Sequence, residues 1–333
     1  MTGLADATTP RPSGAYDPWT PPDELDEFQE SLVLGAYPPG SRILAERSYR
    51  PGYMRYPLRV TVGMPDGSLA ACVLKIDPGI GVVEKEARLL PVLARLGLAA
   101  PRVLAGPAAH PEYPNAGLMV VLSELPGEPL PWLEATLAGA DLTCRLLEEA
   151  VDRLHALTDP VRREAIARDL PENSVAAELE SITAAESPWV RTELFQTVIP
   201  RLRPIVGRID TPLVFSNSDY NPLNFLFVGE SVTGWLDFAG ACFEDPHIGY
   251  ARFLVLSFDS WGWGTGVRSG LVERHLYTHN MSRHDFAPRL AVRCLWRLQR
   301  DISVSGEQDA TARAAILELL RRALSDLEQS EES

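Results

Sequence analysis

Three polar side chains in the second half of the chain have types and a spacing that suit chemistry on phosphates. Asp219 and Asn224 lie five residues apart, and Asp237 follows two β-prone runs. Two carboxylates and a carboxamide around one cavity offer oxygen ligands that suit Mg²⁺, which completes its shell with water and substrate phosphates. Asp219, if it is not a metal ligand, can accept a proton from an attacking hydroxyl. A plainer interpretation stays open, in which Asp219 and Asn221 form an Asx turn before Pro222 and Asp237 caps a loop.

A single lysine interrupts an apolar strand candidate at residues 70–76. This residue is Lys75, and Lys85 is the only other lysine in a chain whose remaining basic residues are all arginine. An unpaired ammonium is costly to bury, so Lys75 needs an anion, and the helix candidate that follows offers Glu84 and Glu86. The alternative is a lysine whose stem packs while its charged head reaches solvent.

Hairpins and helices are expected to position these residues. Residues 59–62 and 69–76 are β-prone and flank an Asp-Gly turn, which predicts a hairpin. Apolar residues at spacings of three and four over 84–96 predict a helix that ends at Gly97. In the second half, residues 224–228 and 232–236 predict another hairpin, with helical periods before and after it.

Composition divides the chain into a β-rich part and a mostly helical part. Prolines and a glycine cluster at 126–131, which marks a boundary between two compact units. The predicted organisation is a flexible Pro-rich arm at 1–22, a first unit at 23–126, a second unit at 127–327 and an acidic tail at 328–333.

Charge and cysteine usage exclude several classes of function. The net charge is -14 over 333 residues, which disfavours binding to nucleic acids and to anionic membranes. No apolar run approaches the roughly 18 residues of a membrane helix, and the first residues lack the pattern of a signal peptide. The four cysteines are far apart and contain no C-x-x-C pair, so we expect reduced thiols and a cytoplasmic protein.

The catalytic segment resembles that of the aminoglycoside phosphotransferase and choline kinase-like family, small-molecule relatives of the protein kinases. The family pattern is H-G-D, four residues, N, a hairpin, then an apolar residue and D. Here Asn217, Ser218 and Asp219 occupy the first three positions, and Asn224 and Asp237 occupy the others. The resemblance implies that Asp219 is the catalytic base and that Asn224 and Asp237 hold magnesium.

The first half of the chain is similar to the same family at two places. Glu86 begins a match to the family's E-A-x-L-L helix, and residues 122–127 are similar to its M-E-x-L-P-G hinge. The resemblance implies that Glu86 holds Lys75 against the nucleotide phosphates, and that the Ser123 carbonyl and the Leu125 amide pair with adenine. Taken alone, residues 122–127 indicate only a strand that ends at a turn.

The histidines carry little functional signal. Residues 154–157 match another element of the family, and we expect His155 to be a packed structural side chain. His275 and His279 are four residues apart on a predicted helix, but they lack a third zinc ligand, so surface positions are expected.

The resemblance implies an α+β, two-lobed protein kinase-like fold. Its small β-rich N-terminal lobe would contain one main helix, and its larger, mostly helical C-terminal lobe would contain the catalytic hairpin. The implied reaction is ATP- and Mg²⁺-dependent transfer of the γ-phosphoryl group to a hydroxyl of a small molecule.

The sequence departs from the family pattern at several positions. Asn217 replaces a histidine, Ser218 replaces a glycine, and Gly249 stands where a second aspartate is common. Residues 48–56 hold one glycine where a phosphate-covering loop is expected. These departures leave open a catalytically idle pseudokinase that binds a nucleotide or a partner. The acceptor is also open: an aminoglycoside or another cationic molecule, or the substrate of a sugar, choline or homoserine-type kinase.

Overall fold

The computed structural model describes residues 25–48, 57–77, 82–112, 118–129, 137–257, 265–304 and 310–328. The chain divides into two compact units, Met1–Pro126 and Gly127–Ser333. The arm predicted at 1–22 lies outside the described residues, as do nearly all of the tail predicted at 328–333 and of the phosphate-covering segment predicted at 48–56. No helix in the described ranges is long and apolar enough to span a membrane.

The first unit is built on a five-stranded antiparallel sheet. In chain order its described elements are α1 (Glu27–Leu34), β1 (Arg42–Ser48), β2 (Leu58–Gly63), β3 (Leu69–Asp77), α2 (Val82–Arg95), β4 (Val103–Ala109) and β5 (Leu118–Ser123). The strand order is β1-β2-β3-β5-β4, so β3 is the central strand.

The predicted hairpin and helix of this unit are confirmed. Strands β2 and β3 pair antiparallel around a turn in which Gly67 has φ +83° and donates its N–H to the Met64 carbonyl at 3.0 Å. Glycine suits this position because it adopts left-handed φ values without strain. Helix α2 ends at Arg95, and Gly97 follows it at φ +82°.

Side-chain alternation along β3 separates the core of the sheet from the candidate lysine. Leu74 and Ile76 are buried in one hydrophobic cluster with Val60 and Val62 of β2. Because successive side chains of a strand point to opposite faces, Lys75 lies on the other face of the sheet.

The second unit is mostly helical and contains two small sheets. Its described helices and strands are β6 (Glu128–Pro129), α3 (Leu137–His155), α4 (Thr158–Arg162), β7 (Glu172–Asn173), α5 (Val175–Ala184), α6 (Glu193–Val206), β8 (Val214–Ser216), β9 (Phe225–Val228), β10 (Ser231–Trp235), β11 (Cys242–Glu244), α7 (Ile248–Ser257), α8 (Thr265–Thr278), α9 (Arg283–Asp301) and α10 (Ala310–Glu328). One sheet has the order β10-β9-β6, and the other has the order β7-β11-β8.

The two small sheets position the candidate catalytic segment at both ends. Strand β8 ends at Ser216, which pairs with Cys242 of β11, and the chain then crosses to β9. Strands β9 and β10 form the predicted second hairpin. The Trp235 indole N–H donates to the Ala150 carbonyl at 2.9 Å, which fixes the hairpin to α3. All four cysteines of the sequence are buried, and none of them forms a disulfide bond.

Candidate active site

The segment between β8 and β9 is held by local hydrogen bonds and one unusual backbone conformation. Ser218 has φ +62°, and its N–H donates to Ser216 Oγ at 2.8 Å. Asn221 Oδ1 accepts from the Leu223 N–H at 3.1 Å and begins a 3₁₀ turn. The Asx turns of the plainer interpretation are therefore present: Asn221 Oδ1 accepts from the Leu223 N–H, and the Asp219 carboxylate accepts from the Asn221 N–H.

Asp219, Asn224 and Asp237 come together at the base of the β9–β10 hairpin. The Asn224 amide nitrogen donates to Asp219 Oδ2 at 3.0 Å and to the Asp219 carbonyl at 3.1 Å. The Leu236 N–H donates to the Asn224 carbonyl at 2.8 Å, and Asp237 follows with its side chain exposed and φ +55°. Since the Asn224 nitrogen is engaged, Oδ1 is the atom of this amide that can bind a cation.

The surroundings of Asp219 shift the pKa of its carboxyl in opposite directions. Burial raises the pKa of the Asp219 carboxyl above its usual value, and the nearby negative charge of Asp237 adds to the rise. The positive charge of Arg252 and the hydrogen bonds from the Asn224 side chain and the Asn221 N–H lower the pKa of Asp219. A carboxyl with a raised pKa is a stronger base once it is ionised, which suits proton acceptance.

Asn217 supports the segment where the family pattern has a histidine. Its side chain is buried, with 1% of the residue exposed. Nδ2 donates to the Asp219 carbonyl at 3.2 Å and to the Leu236 carbonyl at 3.4 Å, and Oδ1 accepts from the Asp219 N–H at 3.3 Å. Asn217 thus links the Asp219 segment to the strand end that precedes Asp237.

Arg252 is a charged neighbour of this site that the sequence analysis missed. It lies on α7 and donates from Nη1 to Ser218 Oγ at 2.8 Å, and also to the Ser218 carbonyl. One sequence feature could have indicated Arg252: it is the one charged residue in the mostly apolar stretch Ile248–Ser257.

Two histidines close to the site have structural contacts. His155 Nε2 lies 2.9 Å from the hydroxyl of Tyr220, and burial lowers the pKa of His155 to about 4. The prediction that His275 lies at the surface is wrong. The ring of His275 is 1% exposed because it stacks on Tyr250 at 3.6 Å between centroids and contacts His247 Nδ1 at 2.9 Å.

The first unit holds the lysine and glutamate as an ion pair. Lys75 Nζ lies 2.7 Å from Glu86 Oε2, with the side chains 18% and 3% exposed respectively. Strand β3 supplies the lysine, and α2 supplies the glutamate from the side of the helix that also buries Leu89 and Leu90. The anion that the sequence requires for Lys75 is therefore Glu86.

The hinge candidate lies at the end of β5. Ser123 pairs with Cys72 of β3, and its N–H and Oγ are both bonded to the main chain of Arg102, at 2.8 and 2.9 Å. Leu125 follows outside the strand. The nucleotide contacts of the Ser123 carbonyl and the Leu125 amide stay a prediction.

The chemistry of the donor set at the hairpin base fits magnesium. Within the described ranges, no three His, Cys, Asp or Glu side chains converge as a metal site. Mg²⁺ does not need such a set, because it is usually held by one or two carboxylates together with substrate phosphates and waters. Burial raises the pKa of the Asp219 carboxyl, the negative charge of Asp237 adds to the rise, and a divalent cation would offset this repulsion between the two carboxylates.

A protein-family model matches about two thirds of the chain. The model of a family described as "Phosphotransferase enzyme family" matches residues 65–286, which contain Lys75, Glu86, Asp219, Asn224 and Asp237. No curated protein matches the sequence.

Solved structures of similar fold are aminoglycoside phosphotransferases. The apo form of a thermostable mutant of APH(4)-Ia has a TM-score of 0.62 and 13% identity over 88% of this chain and 98% of that chain. A ternary complex of a variant of that enzyme with AMP-PNP and hygromycin B has a TM-score of 0.60 and 13% identity over 88% and 97% of the two chains. The GDP and kanamycin complex of APH(2")-IIia has a TM-score of 0.58 and 14% identity over 89% and 98%. These likenesses confirm the predicted α+β, protein kinase-like fold.

Proposed function

Because the chain belongs to the phosphotransferase enzyme family, we propose that it transfers the γ-phosphoryl group of ATP to a hydroxyl of a small molecule in a Mg²⁺-dependent reaction. The observation that carries this proposal is the convergence of Asp219, Asn224 and Asp237 at one hairpin base, with the Asn224 amide bonded to the Asp219 carboxylate at 3.0 Å. Phosphoryl transfer relies mainly on positioning and electrostatics, and this arrangement supplies both.

Asn224 and Asp237 are the residues that would hold magnesium. When bound, the cation neutralises charge on the phosphates of the nucleotide. Asn224 offers Oδ1 because its nitrogen already binds Asp219, and Asp237 offers an exposed carboxylate.

Asp219 acts as the base. The oxygen of the acceptor hydroxyl forms a bond to the γ-phosphorus, the bond from that phosphorus to the bridging oxygen breaks, and ADP leaves. The proton of the hydroxyl passes to the Asp219 carboxylate. The position of this carboxylate is fixed by the Asn224 side chain and by the bonds of Asn217 to the Asp219 main chain.

In the first unit, Lys75 would orient the α- and β-phosphates while Glu86 holds its ammonium. The 2.7 Å ion pair supports this role, since the lysine is held by a partner that is almost fully buried. The main chain at Ser123 and Leu125 would pair with adenine. That both units act on one nucleotide is part of the proposal.

The acceptor is proposed at the level of chemical class. Two similar solved structures hold hygromycin B or kanamycin together with a nucleotide. An aminoglycoside or another small hydroxyl-bearing, cationic molecule is therefore the first class to test, with sugars, choline and homoserine-type alcohols as the next.

Acceptor profiling tests the proposal. The purified protein is incubated with ATP or GTP, Mg²⁺ and a panel of aminoglycosides, sugars and amino alcohols, and nucleoside diphosphate release and phosphorylated products are measured. We expect Mg²⁺-dependent transfer to at least one acceptor, and loss of transfer in Asp219→Asn. Mg²⁺-dependent nucleotide binding without transfer to any acceptor would instead support the idle pseudokinase.

A further inference from the structure

Helix α7 holds the residues on both sides of Asp219. The residue before it, Ser218, is bonded to Arg252, and the ring of the residue after it, Tyr220, lies against Gly249. A Cβ atom built on Gly249 would be 2.2 Å from Tyr220 Cε2, so the ring occupies the space that any other side chain would need. Residues three apart lie on one face of a helix, so a single face of α7 supports both neighbours of Asp219.

The contact between Arg252 and Ser218 fixes the peptide group that joins Ser218 to Asp219. Ser218 has φ +62°, a conformation that is unfavourable for a residue other than glycine and needs support from its surroundings. Its N–H is bonded to Ser216 Oγ at 2.8 Å, and its carbonyl and Oγ accept from Arg252 Nη1. The peptide plane between Ser218 and Asp219 is therefore fixed by a charged donor, which makes a stronger hydrogen bond than a neutral one.

Arg252 is itself placed by a second contact. Its guanidinium carbon lies 5.1 Å from the centroid of the Trp296 ring on α9, in a cation–π arrangement. A lone cation in an apolar helix is costly unless it is paired, and here the Ser218 oxygens and the Trp296 face receive it.

We propose that Arg252 is a positioning residue for the candidate catalytic aspartate, because its hydrogen bonds to Ser218 fix the peptide group between Ser218 and Asp219. The inference rests on the proposed function in naming Asp219 as the base.

The position of Arg252 gives this role a signature that packing alone does not have. Its Nη1 donates to the Ser218 carbonyl, and the Asp219 N–H of the same peptide group donates to Asn217 Oδ1 at 3.3 Å. Loss of the guanidinium therefore loosens the peptide group that carries the Asp219 N–H, and it lowers the rate of the chemical step more than it weakens substrate binding.

The first test compares Arg252→Met, Arg252→Lys and the control Arg300→Met. Arg300 also holds its guanidinium over the Trp296 ring, at 5.2 Å. We expect Arg252→Met to lower kcat by about 100-fold with little change in KM. Arg252→Lys keeps a charged donor but changes its geometry, so it recovers part of the lost kcat. Arg300→Met keeps the wild-type kcat and KM.

Several results overturn the proposal. A wild-type kcat in Arg252→Met does so, and so does an equal loss in Arg300→Met. Lower thermal stability with an unchanged kcat also does so, because a purely structural residue gives that result. If Arg252→Met does not fold, Arg252→Gln keeps a donor without the charge and gives the same comparison.

A second test does not depend on turnover. Aspartate amides are labelled with ¹⁵N, and the Asp219 signal is assigned by its loss in Asp219→Asn. The Asp219 N–H donates to Asn217 Oδ1, and Arg252 holds the carbonyl of the same peptide group, so we expect this amide hydrogen to exchange about 10-fold faster in Arg252→Met than in the wild type or in Arg300→Met. Equal exchange rates in Arg252→Met and the wild type overturn the proposal. A wild-type protein without phosphotransferase activity counts against the proposed function, while the exchange rate still decides the role of Arg252.

Discussion

In the first unit the charged pair Lys75–Glu86 lies on a strand and a helix, whereas in the second unit Asp219, Asn224 and Asp237 lie on turns. The strand and helix hold their pair through apolar packing on neighbouring residues. The turns have Ser218 and Asp237 at positive φ, so they depend on individual hydrogen bonds. We therefore expect the Lys75–Glu86 pair to be destabilised mainly when one of its two partners is lost. The geometry of the site on turns should instead depend on each side chain that supports it.

The largest expected effect follows from loss of the base. Asp219→Asn should lower kcat by about 10²–10⁴-fold while nucleotide affinity changes little, because proton acceptance is needed only in the transition state. Single-turnover kinetics and nucleotide titration measure the two quantities. Asp210→Asn, at an exposed carboxylate of the same unit, is the control. Equal losses of turnover and of nucleotide affinity would contradict the role of Asp219.

Loss of Asp237, a proposed magnesium ligand, should weaken nucleotide binding more than it lowers the stability of the fold. We expect Asp237→Ala to weaken the Mg²⁺-dependent part of nucleotide binding by more than about 100-fold, since a lost ligand costs more than a lost supporting partner. Calorimetric titration with and without Mg²⁺ measures it. Glu230→Ala removes an exposed carboxylate at the tip of the same hairpin and should have no effect. If nucleotide binding by Asp237→Ala depends on Mg²⁺ as it does in the wild type, Asp237 is not a ligand of the metal.

Loss of one partner of the Lys75–Glu86 ion pair should lower the free energy of unfolding. Lys75→Met leaves the Glu86 carboxylate, 3% exposed, without its ammonium, and should lower the free energy of unfolding by about 2–3 kcal/mol. The double variant Lys75→Met/Glu86→Leu should recover most of this loss, because no buried charge remains. Urea denaturation measures both. Arg145→Met breaks an ion pair whose side chains are 47% and 75% exposed and should cost less than about 1 kcal/mol. A double variant as unstable as Lys75→Met would show that the cost comes from packing.

The smallest expected effect concerns the support of the turns. Asn217→Ala removes three hydrogen bonds to main-chain groups and should lower the free energy of unfolding by about 1–2 kcal/mol, with a fall in kcat. Gln196→Ala removes an exposed amide that donates to the Val190 carbonyl at 2.7 Å, and it should change stability by less than about 0.5 kcal/mol. If Asn217→Ala keeps wild-type stability and kcat, the contrast between the two units is not supported.

The features that could be predicted from the sequence are those encoded by local patterns. The Asp-Gly turn indicated the β2–β3 hairpin, and the spacing of apolar residues indicated α2. A lone lysine in an apolar strand requires an anion, so the pairing of Lys75 with a glutamate of the next helix was predictable, and the resemblance to the family implied Glu86 rather than Glu84. The roles of Lys75 and Glu86 toward a nucleotide stay predictions.

The features that could not be predicted depend on contacts between distant residues. Arg252 reaches Ser218 across 34 positions, and no periodicity or spacing encodes that contact. Gly249 could be recognised as a departure from the family pattern, but the ring of Tyr220 that fills its place is visible only in three dimensions. The side-chain contacts that support the turns of this site therefore cannot be predicted from sequence patterns.

The close approach of Tyr220 to Gly249 also restricts how this sequence can change. A single substitution that restored the aspartate common in the family would force the new side chain into the ring, at a separation of 2.2 Å for the Cβ atom alone. A smaller residue at 220 would have to appear first, or together with the aspartate. The two positions are therefore expected to vary as a pair among descendants of this lineage.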